Sequence, residues 1–344
     1  MSDRTKPLVV VTDPSVHPEA IARLRDHCEL RVLEAYTPEE AMAEACVEAQ
    51  ALLARVGAVT RRVIEAAPRL RIVARHGVGV DSVDLDAATA HGVVVTTAGS
   101  LNATAVAEYT FGLLLALVRK VREADRLMRA GGWDRRPFTG TELEGRTLGI
   151  VGVGAIGSRV ARQALGFGMQ VIGCDPAYVE APVPGMRLGS LEEVLEAADI
   201  LTLHPRLNPT TFRMIDAAAL ARLHPGAIVV NTSRGEVVDQ EALTSALQSG
   251  HLAGAALDVF AREPLAPPSP LREMENVILS PHVAGQTREA MVAVARSAAG
   301  AILDDLAGRR PEYVYNPEVY EVRRAKGLFG EAVLHAVSSP DGAR

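Results

Sequence analysis

The chain contains two successive arrays in which short apolar runs alternate with helical patterns of apolar and polar residues. In the first array, β-branched runs predict five strands, at residues 8–12, 30–33, 52–56, 70–75 and 93–97. Helical patterns lie between them, at 21–27, 38–46, 61–67 and 85–91. Strands separated by helices are typical of repeated βαβ units, so we predict a parallel sheet here.

The alternation is interrupted after residue 97 and then begins again. A long helical stretch at 105–129 carries apolar residues on most faces, which predicts a helix that is buried or shared between domains. Beyond the loop 131–145, six further strands are predicted, at 148–153, 171–174, 200–204, 227–231, 253–260 and 277–280. Six strands with intervening helices match a doubly wound nucleotide-binding domain. One more amphipathic helix, at about 288–307, is followed by a polar tail.

Composition narrows the class of protein. A chain of 344 residues favours two domains. Apolar residues make up 48% and aromatic residues 4%, which suits parallel sheets wrapped by helices. The net charge of −6 offers no basic surface for nucleic acid or an anionic membrane. We therefore expect a small-molecule partner and neither nucleic acid nor membrane.

The three cysteines, Cys28, Cys46 and Cys174, are scattered and show no CxxC spacing. Neither a disulfide framework nor a zinc site is indicated, and a reducing cytoplasm is expected. The first residues hold only a short apolar run before a charged residue, and no later segment approaches the roughly 18 apolar residues of a membrane span.

A glycine-rich turn follows the first strand of the second array. Residues 152–157 read Gly-Val-Gly-Ala-Ile-Gly, directly after the apolar run 148–151 and directly before a helical pattern. Gly152 would allow a tight turn, Gly154 a close approach of the backbone to a pyrophosphate, and Gly157 close packing of helix on strand. The N–H groups at the start of the helix would hold the phosphates.

The next strand supports this interpretation, because it ends at Asp175, eighteen residues after Gly157. An acid at that distance is expected to contact the ribose hydroxyls of the adenosine. The same carboxylate would repel the additional phosphate of NADP. We therefore predict NAD as the cofactor.

Polar residues follow three later strands at the edge where ligands gather in an open parallel sheet. Arg234 comes after the strand 227–231, Asp258 and Glu263 after 253–257, and His282 after 277–279. Arg234 can hold a carboxylate and polarise a ketone through its fork of N–H donors. His282 is suited to donate a proton near neutral pH, and a carboxylate such as Glu263 would raise its pKa and orient the ring.

These motifs resemble those of the D-isomer-specific 2-hydroxyacid dehydrogenases, over about residues 52–317. The segments 231–239 (NTSRGEVVD), 257–264 (LDVFAREP) and 280–285 (SPHVAG) are similar to the arginine, glutamate and histidine motifs of that family. The resemblance implies that Arg234, Glu263 and His282 are catalytic. It also implies an NAD-dependent oxidoreductase that interconverts a small D-2-hydroxy acid and its 2-keto acid.

The resemblance implies further site residues. The segment 77–81 (GVGVD) resembles the family's substrate-carboxylate loop, in which backbone N–H groups of Val78 and Gly79 bind the anion. Asp258 would contact the nicotinamide carboxamide, and Thr104 would face the nicotinamide. The full set expected to bind the cofactor is Gly152, Gly154, Ala155, Ile156, Gly157, Asp175, His204, Thr232, Asp258 and Thr104.

Three positions depart from the family pattern. Tyr109 stands where many relatives have histidine, and Ala155 where many have an arginine near the pyrophosphate, which could lower cofactor affinity. Pro205 and its neighbours replace the usual order after His204, so a backbone contact of His204 with the cofactor is expected and the role of its side chain stays open.

The family architecture accounts for the interruption between the two arrays. It implies two Rossmann-like or flavodoxin-like parallel-sheet domains with a cleft between them, whose closure would exclude water. Residues 1–101 with a returning helix at 286–325 would form the substrate domain, 102–285 the NAD-binding domain, and 326–344 a tail. Relatives pair around the long helix and the loop after it, so we expect a homodimer that uses the exposed Trp133.

The substrate is less closely specified. Arg55 ends the third strand, where 3-phosphoglycerate dehydrogenases carry a substrate-binding arginine, and a surface charge is the alternative for it. Because the chain leaves no room for an appended regulatory domain, we expect hydroxypyruvate, glyoxylate or a similar short keto acid, with phosphohydroxypyruvate as the main competitor. Two other functions remain open, a formate- or phosphite-type dehydrogenase and a non-catalytic NAD(H)-sensing co-regulator.

Overall fold

The computed structural model describes residues 6–328 and divides the chain into two compact units. Within these residues the strands are β1 Leu8–Val11, β2 Glu29–Val32, β3 Ala51–Ala54, β4 Ile72–Arg75, β5 Val94–Thr96, β6 Thr147–Val151, β7 Gln170–Cys174, β8 Arg187–Leu188, β9 Ile200–Leu203, β10 Ala227–Asn231, β11 Leu252–Leu257 and β12 Val277–Leu279. The α-helices are α1 Pro18–Arg25, α2 Glu39–Cys46, α3 Arg61–Glu65, α4 Leu85–Ala90, α5 Ala103–Val118, α6 Val121–Arg129, α7 Gly157–Gly166, α8 Leu191–Ala197, α9 Ala217–Arg222, α10 Gln240–Gln248, α11 Arg288–Leu306 and α12 Val319–Ala325.

The first unit comprises the residues up to Asn102 and those from Thr287 onward. Its sheet is parallel and has the order β2-β1-β3-β4-β5. Both faces of this sheet are buried: Val9 and Val11 belong to one apolar cluster with residues of α1 and α11, and Val10 belongs to another with residues of α2 and α3. Because helices pack on both faces of the sheet, the sequences of its central strands are continuous apolar runs.

The second unit, Ala103–Gln286, contains a seven-stranded parallel sheet of order β12-β11-β10-β9-β6-β7-β8. The strand order reverses at β6, which pairs with β9 on one side and β7 on the other. Ligands in such sheets bind beyond the carboxyl ends of the strands at this reversal. The second unit therefore presents the turn after β6 at the position expected for a nucleotide.

The two parallel-sheet α/β units confirm the predicted fold class, and three details of the prediction are wrong. The stretch 105–129 is two helices, because Lys120 adopts a left-handed conformation with φ of 52° between α5 and α6. The second sheet has a seventh strand, β8, which is only two residues long and therefore too short for a detectable pattern. The helix α12 was not predicted separately from α11.

Local capping fixes where helices of the second unit begin. The side chains of Ser190, Asp216 and Asp239 accept backbone N–H groups of α8, α9 and α10. Ser190 and Glu193 form a reciprocal capping box. No helix within residues 6–328 is both long and apolar enough to cross a membrane. Of the predicted tail 326–344, residues 329–344 lie outside the described residues.

Candidate active site

The glycine turn after β6 has the geometry of a backbone cradle. Gly152 has φ of 86°, and a Cβ there would lie 2.8 Å from the carbonyl carbon of His204. A Cβ on Gly157 would lie 2.0 Å from the carbonyl oxygen of Gly152, so only glycine permits α7 to pack this closely on the turn. A Cβ on Gly154 would meet nothing within 4 Å, so the middle of the turn is open to a ligand. These residues fit a bound dinucleotide.

Asp175 lies at the carboxyl end of β7 and contacts the glycine turn. One carboxylate oxygen accepts the backbone N–H of Val153 at 2.9 Å, and the other accepts that of Ala177 at 2.9 Å. The two hydrogen bonds hold the carboxylate beside the turn. An acid in this position suits recognition of ribose hydroxyls.

Arg234 follows β10 in a turn organised by Asn231. The buried amide of Asn231 donates to the carbonyl of Arg234 at 2.9 Å and accepts both the N–H and the hydroxyl of Ser233 at 3.0 Å. The guanidinium of Arg234 donates to the carbonyl of Ser233 at 2.7 Å. Thr232 is buried, and its hydroxyl bonds that of Thr110 on α5 at 2.9 Å.

Asp258, after β11, is completely buried and organises the histidine segment. One carboxylate oxygen accepts the hydroxyl of Ser280 at 2.6 Å and the N–H of Val283 at 3.0 Å, and the other accepts the N–H of Ala284 at 2.8 Å. Its carbonyl accepts the N–H of His282 at 2.8 Å. Both oxygens are thus engaged within the unit, and the predicted contact with nicotinamide stays a prediction.

Glu263 and His282 form a direct pair. The Nδ1 of His282 lies 2.7 Å from Oε2 of Glu263, and Oε1 of Glu263 accepts the N–H of Phe260 at 3.1 Å. Burial alone would raise the pKa of Glu263, but hydrogen bonding and charge from His282 outweigh it, so the pKa is lowered. His282 has φ of 55°, a left-handed conformation that is unusual for a residue with a side chain.

Close backbone contact joins the arginine and glutamate segments. A Cβ on Gly235 would lie 1.9 Å from the carbonyl carbon of Phe260, so a larger residue there would push the two segments apart. The side-chain oxygen of Gln240 accepts the N–H of Ala261 at 3.1 Å and holds the glutamate segment from the other side. The segments after β10, β11 and β12 are therefore one connected structure that carries Arg234, Glu263 and His282.

Two further cofactor candidates lie in the second unit. Nε2 of His204 is 3.0 Å from the hydroxyl of Thr202, and its buried Nδ1 has no partner among residues 6–328. Burial lowers the pKa of His204 to about 3, so the ring is neutral. The hydroxyl of Thr104, near the start of α5, accepts a hydrogen bond from Arg159 on α7 at 3.2 Å.

In the first unit, Arg55 lies at the carboxyl end of β3 with only 16% of its side chain exposed. Its Nε is 3.4 Å from the carboxylate of Asp13, and its Nη1 is 3.2 Å from Nδ1 of His76. Burial, together with the charge of Arg55, lowers the pKa of His76 to about 4. The ring is therefore neutral, and Nδ1 accepts the hydrogen bond from Arg55. Arg55 is part of a side-chain cluster and is not an isolated surface charge.

The loop 77–81 follows β4 in the same unit. Arg75 donates to the carbonyl of Gly79 at 2.9 Å, and Ala98 donates to that of Gly77 at 2.8 Å. Within the described chain, the backbone N–H groups of Val78 and Gly79 have no acceptor in hydrogen-bonding distance. Two open N–H groups in succession suit an anion such as a carboxylate.

Sequence reasoning missed the residues that hold the site in place. Asn231, Ser280, Gly235 and Gln240 lie inside or beside the quoted motifs, but nothing in the local pattern reveals which atoms they contact. A polar residue at the end of a buried strand, such as Asn231, was the available signal. Asp13 and His76 gave no signal, because their partners are distant in the chain.

Comparison with known proteins shows which family the chain is similar to. Residues 111–284 match a family model described as "D-isomer specific 2-hydroxyacid dehydrogenase, NAD binding domain". The chain is 42% identical over 88% of its length to a D-3-phosphoglycerate dehydrogenase of Mycobacterium leprae, of which it covers only 57%. It is 39% identical to a glyoxylate reductase of Korarchaeum cryptofilum, with 92% of this chain and 98% of the relative covered.

A solved structure shows the same similarity in three dimensions. An NADPH-dependent glyoxylate/hydroxypyruvate reductase of Sinorhizobium meliloti, in complex with NADP and malonate, superposes with a TM-score of 0.83 at 29% identity. That match covers 92% of this chain and 98% of the reductase. The chain is therefore similar to the reductase over nearly its whole length, whereas it spans little more than half of the phosphoglycerate dehydrogenase.

Proposed function

The chain belongs to the D-isomer specific 2-hydroxyacid dehydrogenase family, and on that premise we propose that it is an NAD-dependent enzyme that interconverts a short D-2-hydroxy acid and its 2-keto acid. The observation that carries the proposal is the pair of His282 and Glu263, 2.7 Å apart, connected to the segment of Arg234 through the contact of Gly235 with Phe260. A proton donor and a carboxylate-binding cation are the two groups that ketone reduction demands of the protein.

The roles follow from the chemistry of each side chain. The reduced nicotinamide, when bound, supplies the hydride that the keto carbon accepts. Arg234 binds the substrate carboxylate and polarises the carbonyl through its N–H donors. Protonated His282 donates its proton to the carbonyl oxygen, which becomes the hydroxyl. Glu263 orients the ring through Nδ1 and stabilises its charged form. In the first unit, the open N–H groups of Val78 and Gly79 are suited to bind a carboxylate.

We assign NAD as the preferred cofactor because of Asp175. Its carboxylate lies beside the glycine turn, where the extra phosphate of NADP would meet a negative charge. The cofactor would be held by the residues predicted from the sequence: Gly152, Gly154, Ala155, Ile156, Gly157, Asp175, His204, Thr232, Asp258 and Thr104. The open space at Gly154 supports the binding of a dinucleotide at this turn.

For the substrate we propose hydroxypyruvate or glyoxylate, with phosphohydroxypyruvate as the competitor. The glyoxylate reductase of Korarchaeum cryptofilum matches the chain over nearly all of both lengths. Arg55 is the group that could select a phosphate, but the carboxylate of Asp13 at 3.4 Å opposes its charge. An arginine already paired with a carboxylate favours a substrate without a phosphate, because a phosphate dianion would have to compete with Asp13 for the guanidinium.

A panel of 2-keto acids tests the proposal. NADH oxidation should be measured with glyoxylate, hydroxypyruvate, phosphohydroxypyruvate and pyruvate, for the wild type, His282→Ala and Arg55→Ala. We expect turnover of the short unphosphorylated acids, and loss of about 10²-fold or more in His282→Ala with NADH binding retained. A selective rise in KM for phosphohydroxypyruvate in Arg55→Ala would instead assign the phosphorylated substrate. NADH binding without turnover of any keto acid would favour a non-catalytic NAD(H) sensor.

We also propose a homodimer in the cytoplasm. The helix α6 has no buried residue, and the apolar side chains of Val121, Met128 and Trp133 are exposed there and in the loop after it. Several large apolar side chains exposed along one helix and the loop after it are what a protein interface would cover. The three cysteines are free thiols, which agrees with a reducing compartment. Light scattering of the wild type and of Trp133→Ser would test the dimer, and a monomeric wild type would contradict it.

A further inference from the structure

The glycine turn of the second unit is accompanied by a cation that its sequence motif does not contain. The turn itself, residues 152–157, carries only uncharged side chains. Arg159 lies in the first turn of α7, four residues beyond Ala155, and its Nη1 donates to the carbonyl of Ala155 at 2.6 Å. Long side chains in a helix point back toward its N-terminus, which brings this guanidinium to the glycine turn.

A second hydrogen bond fixes the guanidinium in this position. Its Nε donates to the hydroxyl of Thr104 at 3.2 Å. Thr104 lies in the first turn of α5, so the starts of two helices meet at this arginine. Helix N-termini carry partial positive charge, and their N–H groups attract anions.

The charge of Arg159 is not neutralised by the protein. Both hydrogen-bond partners are uncharged oxygen atoms, and within residues 6–328 no carboxylate lies within 4.0 Å of this guanidinium. An arginine held in place by neutral acceptors keeps N–H donors and a full charge for a ligand. The hydroxyl of Thr104, which accepts from Arg159, still has its own proton to donate.

We propose that Arg159, positioned by Thr104, binds the pyrophosphate of the dinucleotide. The guanidinium supplies charge-assisted hydrogen bonds at a turn that otherwise offers only backbone N–H groups. This assignment rests on the dinucleotide site of the proposed function and is independent of which keto acid is reduced. It makes Arg159 a determinant of cofactor affinity in a chain whose glycine turn holds alanine at position 155.

Calorimetric titration with three probes tests the assignment without turnover. NADH and ADP-ribose contain the pyrophosphate, whereas adenosine does not. For Arg159→Ala we expect the Kd of NADH and ADP-ribose to rise about tenfold, the effect of losing one charge-assisted hydrogen bond, and the Kd of adenosine to stay within about twofold. Thr104→Val should raise the Kd of NADH and of ADP-ribose by a smaller factor, because it removes only the hydroxyl that holds Arg159 in place.

Two further variants provide controls. Arg162→Ala removes an exposed arginine of the same helix and should leave all three Kd values within about twofold. Ala155→Arg in the Arg159→Ala background returns a guanidinium to the turn and should restore NADH affinity. Unchanged NADH binding in Arg159→Ala, or an equal loss of adenosine binding, would overturn the assignment. A wild type that binds neither NADH nor ADP-ribose would instead refute the proposed function.

Discussion

Replacing Glu263 by glutamine should move the pH dependence of keto acid reduction. In the proposed mechanism, reduction requires His282 in its protonated form, and the carboxylate oxygen 2.7 Å from Nδ1 would stabilise that cation. The lowered pKa of Glu263 keeps the carboxylate charged throughout a neutral assay range. Glutamine has nearly the same shape and can still accept hydrogen bonds, so the variant removes chiefly the negative charge.

The size of the effect follows from the geometry of the pair. A hydrogen bond to a charged group contributes about 1.5–3 kcal/mol. The side chains are 46% and 35% exposed, so solvent screening reduces this to about 1–2 kcal/mol. At about 1.4 kcal/mol per pH unit, the alkaline limit of reduction should fall by about one unit. Oxidation of the hydroxy acid needs the neutral ring, so its acidic limit should fall by the same amount.

The assay is kcat/KM for reduction with NADH between about pH 5.5 and 10, which reports the free enzyme. Glu273→Gln is the matched control, because it removes an exposed carboxylate of the same unit and should leave the profile unchanged. A Glu263→Gln enzyme that loses activity equally at every pH would refute the reasoning. In that case Glu263 would only orient the ring and would not stabilise its charge.

Three other predictions follow from the structure. The wild type should prefer NAD over NADP by about tenfold or more in kcat/KM, and Asp175→Ala should reduce this preference. A wild type that works better with NADPH would contradict the assignment of Asp175 to the ribose. The pKa of His76 is lowered to about 4, so between about pH 6.5 and pH 4 the unfolded chain takes up a proton that the folded chain does not. The free energy of unfolding should therefore decrease as the pH is lowered through this range. When urea unfolding is measured at pH 8 and at pH 5, the free energy of unfolding should drop by about 2 kcal/mol more in the wild type than in His76→Gln. An equal drop in both proteins would exclude the effect. Gly235→Ala should lower kcat/KM by about 10²-fold, because the added Cβ would displace the backbone of Phe260 by more than an ångström. The control Gly166→Ala should retain activity, because a Cβ there would meet nothing within 4 Å.

The sequence by itself determined the two parallel sheets and the sheet edge at which the candidate site lies. Apolar runs that alternate with helical patterns report burial of both sheet faces, and this is a local property of each segment. The glycine spacing with Asp175 and the positions of Arg234, Glu263 and His282 after successive strands are equally local. Because parallel strands end at one edge, residue order alone was sufficient to predict that these side chains lie at the same edge of the sheet.

Only the tertiary structure decided how that site is held together. The contact of Gly235 with Phe260, the three hydrogen bonds on Asp258 and the position of Arg159 against Thr104 join segments that are distant in the chain. No periodicity encodes such contacts, because they depend on atoms that meet after the strands have paired. For the same reason the sequence left open whether Arg55 is a surface charge or a substrate-binding residue. The structure shows that it belongs to a buried cluster with Asp13.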